Sequence, residues 1–232
     1  MSVPTTTIAL LANSIELTAG GTAGTRKSTG NSVVPLVIGI AAGVGGSSDL
    51  GELVGSLNPR FSGCLAIVQH LPSGFAHSFA AYLQSLTALR VVIAEASVSV
   101  APGLIVLATD DRHLVSDGQD ALCSRDGERV LGHRPAADVL FRSLADTWAG
   151  RAVGVVLSGA GRDGSAGLLA MRARGGVTMV QSTDSAVLNH MPRAALERGA
   201  ALRALRPKDI SHLLQGTAAE RRALQERPSA PP

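Results

Sequence analysis

Leu36-Val37-Ile38-Gly39-Ile40-Ala41-Ala42-Gly43-Val44-Gly45-Gly46-Ser47-Ser48 is the stretch on which the reading of the fold depends. Leu36–Ala41 is an apolar run closed by glycines, the pattern of a strand buried on both faces. A helix-like segment, Ser48–Ser56, follows the turn. Strand, glycine-rich turn and helix make the opening of a βαβ unit. The same alternation continues along the chain. Strands are expected at Leu65–Val68, Val91–Ala94, Ile105–Ala108, Val153–Leu157 and Thr178–Gln181. Helices are expected at Phe75–Leu86, Ala137–Ala149, Ser165–Arg174, Pro192–Gly199 and Pro207–Ala219. This predicts an α/β fold: a doubly wound, mostly parallel, Rossmann-like sheet with helices on both faces. Right-handed crossovers gather the strand-to-helix turns on one edge, where such sheets bind ligands. Between Asp110 and Leu131 the pairs Asp117-Gly118 and Asp126-Gly127 suggest hairpin turns and a short antiparallel ribbon.

Composition agrees with this reading. The chain has 232 residues, enough for one such domain. Hydrophobic residues form 45% and aromatics 3%, so the core must be built from Val, Leu, Ile and Ala. A net charge of +3 without interleaved aromatics gives little support to a nucleic-acid surface. Cys64 and Cys123 lack metal-ligand spacing, and no cofactor or metal is expected. Thr7–Leu11 is too short to span a membrane, so a cytoplasmic location is expected. Residues 1–33 read as a flexible leader, 34–220 as the folded domain, and 221–232 as a frayed tail.

Three turns could carry chemistry. The turn around Gly43, Gly45 and Gly46 either cradles a phosphate or is a tight turn capped by Ser47 or Ser48. His70, directly after a strand, is either a general base or a structural histidine. Asp163, in Ser158-Gly159-Ala160-Gly161-Arg162-Asp163-Gly164, is either a helix cap or the acid that orients a histidine. Together they outline a hydrolase site without its nucleophile.

Several ordered segments resemble the catalytic domain of CheB, the protein-glutamate methylesterase of bacterial chemotaxis. They are Gln69-His70-Leu71-Pro72-Ser73-Gly74-Phe75, Glu95-Ala96 with Pro102-Gly103, Ala108-Thr109-Asp110-Asp111-Arg112-His113-Leu114, and Arg134-Pro135-Ala136-Ala137-Asp138-Val139-Leu140-Phe141. Gly159-Ala160-Gly161-Arg162-Asp163-Gly164 and Met191-Pro192-Arg193-Ala194-Ala195 complete the set, and the likeness runs from about Leu36 to Leu214. The resemblance implies hydrolysis of methyl esters on the cytoplasmic helices of chemoreceptors, with His70 as base and Asp163 orienting it. It places the family's nucleophilic serine at Gly43, and makes Val44, Gly45, Gly46, His113, Ala160 and Met191 neighbours of the site.

The departures bear on activity. Glycine offers no nucleophile, Val44 stands where the family has threonine, and Ala160 where it has methionine. Ser47 and Ser48 lie four and five residues beyond Gly43, farther than near-attack geometry tolerates. His190 replaces a usual glycine and reads as a surface helix cap. The family also carries a phosphoacceptor receiver domain, which is not expected ahead of this domain. The sequence therefore supports an impaired esterase or a binding protein derived from one.

Overall fold

The computed structural model describes residues 35–217. The expected leader at 1–33 and tail at 221–232 lie outside the described residues. Seven strands form one parallel sheet: β1 (Val37–Ala42), β2 (Cys64–Gln69), β3 (Arg90–Ile93), β5 (Leu104–Leu107), β8 (Ala152–Val156), β9 (Val177–Gln181) and β10 (Arg203–Leu205). Their spatial order is β10-β9-β8-β1-β2-β5-β3. β4 (Val98–Ser99), β6 (His113–Ser116) and β7 (Ala121–Arg125) form a separate antiparallel sheet in the order β4-β7-β6.

The central strands are buried along their whole length, as their unbroken apolar runs require. Side chains alternate between the two faces. Ile38, Ile40, Ile67 and Val155 pack against α1 (Gly46–Gly55), α2 (Ala76–Leu86) and α6 (Pro207–Gln215). Val37, Ala41, Val68 and Val156 pack against α3 (Ala137–Trp148), α4 (Ser165–Ala173) and α5 (His190–Glu197). Helices thus cover both faces, as expected. From β1 the chain winds outward through α1 to β2, and from the adjacent β8 it winds the other way through α4 to β9. The switch point of the sheet lies between β1 and β8, the place where doubly wound sheets form their ligand crevice at the carboxyl ends of the strands.

Local expectations are corrected in several places. β10 and β4 were not expected; each is a two- or three-residue edge strand, and β10 carries arginine within it. Asp117-Gly118 does turn the β6–β7 hairpin, but Asp126-Gly127 does not turn a hairpin. The next tight reversal is at Leu131-Gly132, both with positive φ, joined by the Val130–His133 bridge. α6 ends at Gln215, short of Ala219. Neither Ser47 nor Ser48 caps α1, which begins on the left-handed Gly45 with no side-chain cap. The Ser48 hydroxyl instead donates to the Gly45 carbonyl at 3.3 Å. Among the described residues no helix is long and apolar enough to cross a membrane.

Candidate active site

The crevice brings the three turns together. β2 and β1 run in register, so that Gln69 stands beside Ala42, and the His70 amide donates to the Ala42 carbonyl at 2.9 Å. On the other side of β1, the Gly43 amide donates to the Ser158 carbonyl at 2.8 Å. His70 thus leaves one flank of the Gly43 turn, and the segment leading to Asp163 leaves the other.

The His70 Nε2 lies 2.8 Å from Asp163 Oδ2. Since the carboxylate accepts, Nε2 carries the proton and Nδ1 is left as the basic nitrogen. Among the described residues no hydrogen bond engages that Nδ1. The imidazole is mostly covered and Asp163 is fully buried, at 11% and 0% exposure. A histidine held by a buried carboxylate is the arrangement that hydrolytic triads use for their acid–base pair.

Asp163 has a second set of partners. Its carboxylate accepts from the amides of Ala137 at 2.7 Å, Asp138 at 3.0 Å and Gly164 at 2.9 Å. Ala137 and Asp138 are the first two residues of α3, whose own N-cap, Ala136, supplies no side-chain acceptor. Asp138 returns the arrangement: its Oδ1 accepts from the Gly167 amide in the first turn of α4 at 2.7 Å. α4 begins on the left-handed Gly164, again without a side-chain cap of its own. Each helix therefore receives its missing acceptor from an aspartate outside its own N-cap position. The cap expected of Asp163 exists, but it serves the distant α3.

Burial pushes the Asp163 carboxyl up, but the hydrogen bonds from His70 and from the Asp138 and Ala137 amides outweigh it. Its pKa ends below the ordinary carboxylate value. Asp138 moves the opposite way. Burial raises it, and the neighbouring Asp163 charge adds to the rise despite the Gly167 bond.

Sequence reasoning missed one residue here. His133 stacks flat on His70, with ring centroids 3.7 Å apart and planes within 2°. Burial, followed by the charge of His70, lowers the His133 pKa. The loop carrying it is tied down by Arg134, which grips Asp111 through Nε at 3.0 Å and Nη2 at 2.7 Å. The Arg134 hydrogen bond holds the Asp111 carboxyl below its usual range. Only the position of His133 immediately before the Arg134-Pro135 motif could have drawn attention to it.

The remaining expected neighbours divide. Gly43 is buried, and its backbone is not left-handed. A Cβ built on it would lie 3.0 Å from Gly159 Cα and 3.1 Å from Met191 Sδ. Both are closer than ordinary contact, so Met191 lies directly against the Gly43 turn. Gly46 likewise lies too close to the Ser158 carbonyl for a side chain, at 2.5 Å. Gly45 has φ of 84° and abuts Val187. Val44 and Val187 form an apolar rim at 65% and 68% exposure. The Ala160 amide would lie 3.6 Å from a Cβ on Gly43. His113 is not brought to the crevice by any of its contacts. Its ring bonds the Glu128 carbonyl at 2.9 Å and the Ala136 amide at 3.2 Å, pinning the loop before α3. His190 is the exposed first residue of α5, with Asn189 as N-cap, so the surface location holds but the capping role does not. Among the described residues no group of three or more His, Cys, Asp or Glu side chains could hold a metal ion.

A doubly wound α/β sheet with a histidine–carboxylate pair at its switch point defines a hydrolase-like class. Comparison with known proteins narrows that class. The CheB methylesterase family matches residues 38–214. The chain is 40% identical over 166 residues to the protein-glutamate methylesterase/protein-glutamine glutaminase of group 3 operon from Cereibacter sphaeroides, covering 70% of this chain and 45% of that protein. It is 42% identical over 167 residues to the Photorhabdus laumondii protein-glutamate methylesterase/protein-glutamine glutaminase, covering 71% and 47%. The catalytic domain of Thermotoga maritima CheB methylesterase superimposes with a TM-score of 0.75 at 28% identity, covering 78% of this chain and 98% of that one. The chain belongs to the CheB methylesterase family, and it spans about half the length of the relatives it matches.

Proposed function

We propose that this domain retains the acid–base half of a protein-glutamate methylesterase and hydrolyses methylated chemoreceptor glutamates weakly or not at all. The observation that carries the reading is Gly43: the family motif puts the nucleophile there, and this chain has no side chain to supply it. The reaction normally forms a bond from a serine oxygen to the ester carbonyl, with the histidine taking the hydroxyl proton and returning it to the departing methoxide. Here only water could take the serine's place, deprotonated by His70 Nδ1. Loss of the nucleophile in a measured triad costs about 10⁶-fold in turnover. About 10³-fold over water survives from binding and oxyanion stabilisation.

A second reading is a binding protein that docks on receptor helices without turnover. The exposed Val44 and Val187 beside the crevice favour it, as an apolar rim suits a protein partner. Methanol release from methylated receptor fragments tests the first reading, with Gly43→Ser as comparison. Robust release by the unmodified chain overturns it. Receptor-fragment binding at micromolar concentration without release supports the second.

A further inference from the structure

The buried acids around the crevice are satisfied, but one beyond it is not. Asp49 lies in the first turn of α1 at 8% exposure. No hydrogen bond or ion pair reaches its carboxylate among the described residues, and its Oδ2 is enclosed without a donor. Oδ1 is not enclosed in this way, so it is the oxygen through which this mostly buried carboxylate can meet an occupant.

Asp49 lines a cavity of about 380 Å³ together with Glu52, Ser185, Arg206, Lys208 and Asp209. Three carboxylates face two cations there. Arg206 is engaged by Asp184 at 3.4 Å, and Lys208 stands 4.0 Å from Glu52. Asp49 and Asp209 are thus left without an ion-pair partner among the described residues, and the occupant they call for is a cation with N–H donors. The acids do not converge as a metal ion requires.

We propose that this cavity binds a primary ammonium or guanidinium group, with Asp49 as its buried counter-ion. It lies on the same edge of the sheet as the Gly43 turn, because Asp49 follows β1, Ser185 follows β9 and Arg206 follows β10. The segment containing Ser185 also supplies Val187 against Gly45, and its Leu188 carbonyl accepts from the Gly159 amide at 2.8 Å. A bound cation would thus touch the loop that borders the crevice.

The test is an NMR titration of the full chain with 1,5-diaminopentane, following the Asp49 carboxylate and the Ser185 amide. Saturable shifts are expected, with none from neutral 1,5-pentanediol and binding about tenfold weaker or more in Asp49→Asn. An alanine-based helical peptide carrying one lysine, set against its norleucine counterpart, separates a protein-borne ammonium from a free one. Saturation by either amine supports the site and names its source; saturation by neither overturns it. Without amine, Asp49→Asn is expected to raise Tm by a few degrees, because it removes an unpaired buried charge. A fall in Tm would reveal an internal partner and overturn the proposal. None of these readouts uses ester hydrolysis, so they stand apart from the fate of Gly43.

Discussion

The two turns that meet at the switch point begin alike and end differently. Each carries the chain from a buried strand into a helix through a left-handed glycine, Gly45 at φ 84° and Gly164 at φ 88°. The second turn holds an aspartate with four hydrogen-bond partners, three of them backbone amides. The first holds a glycine whose missing side chain no neighbour needs. Asp163 serves the fold whether or not a reaction takes place, whereas a side chain at position 43 would serve the reaction alone. The surviving His70–Asp163 pair is therefore weak testimony to turnover. Packing would preserve the second turn even in a chain whose first turn carried no chemistry.

Placing a hydroxyl in the first turn has the largest expected effect. Gly43→Ser should raise methanol release by about 10³-fold or more over the unmodified chain, and adding His70→Ala should abolish the gain. A flat response would break the comparison by showing that the first turn is closed as well as empty. Adding Met191→Ala to Gly43→Ser then measures how much of the closure is the thioether.

Stability should run the other way. Asp163→Ala strands three amides and the His70 ring, and should cost about 3–5 kcal/mol in urea unfolding. Gly43→Ser only crowds Gly159 and Met191, and should cost about 1–2 kcal/mol. Equal losses would remove the contrast between the two turns.

Acid titration sharpens it further. Asp163 has a folded pKa below its unfolded value of about 3.9. Its stabilisation is complete above that pH and is lost as pH falls through the lower folded value. Asp163→Asn should remove this acid limb of the stability curve. His133 is also lowered, so the fold favours its neutral ring. Its contribution is complete above about pH 6.5 and declines as pH falls toward its folded value. His133→Phe, which keeps a ring against His70, should flatten stability below about pH 6.5. The smallest expected effect is at the rim: Val187→Ser should change stability by less than about 0.5 kcal/mol.

Much of this was legible in the sequence. The expected strands and helices fall within two residues of their observed bounds, except that α6 ends four residues early, because buried parallel strands have no polar interruptions and glycines mark their ends. His70 and Asp163 were legible together because each lies in a turn that leaves the carboxyl end of a strand on one sheet edge. What the sequence hid depends on distance or brevity. β10 is three residues long, too short to show a period. The His70–His133 stack joins residues 63 positions apart and leaves no local mark. Ser47 and Ser48 misled because their composition suits a cap, while a left-handed Gly45 already sets the helix entry. Asp163 suited a cap as well, but one for a helix that had already passed in the chain.

The exchange of caps between α3 and α4 has a consequence in time as well as in space. Asp163 secures the first amides of α3, and Asp138, itself in that first turn, secures the Gly167 amide of α4. Fraying of either helix withdraws an acceptor from the other, so the two ends should open as one event. In hydrogen exchange the amides of Ala137, Asp138, Gly164 and Gly167 should lose protection together, as a single cooperative unit bracketing the carboxylate of the crevice.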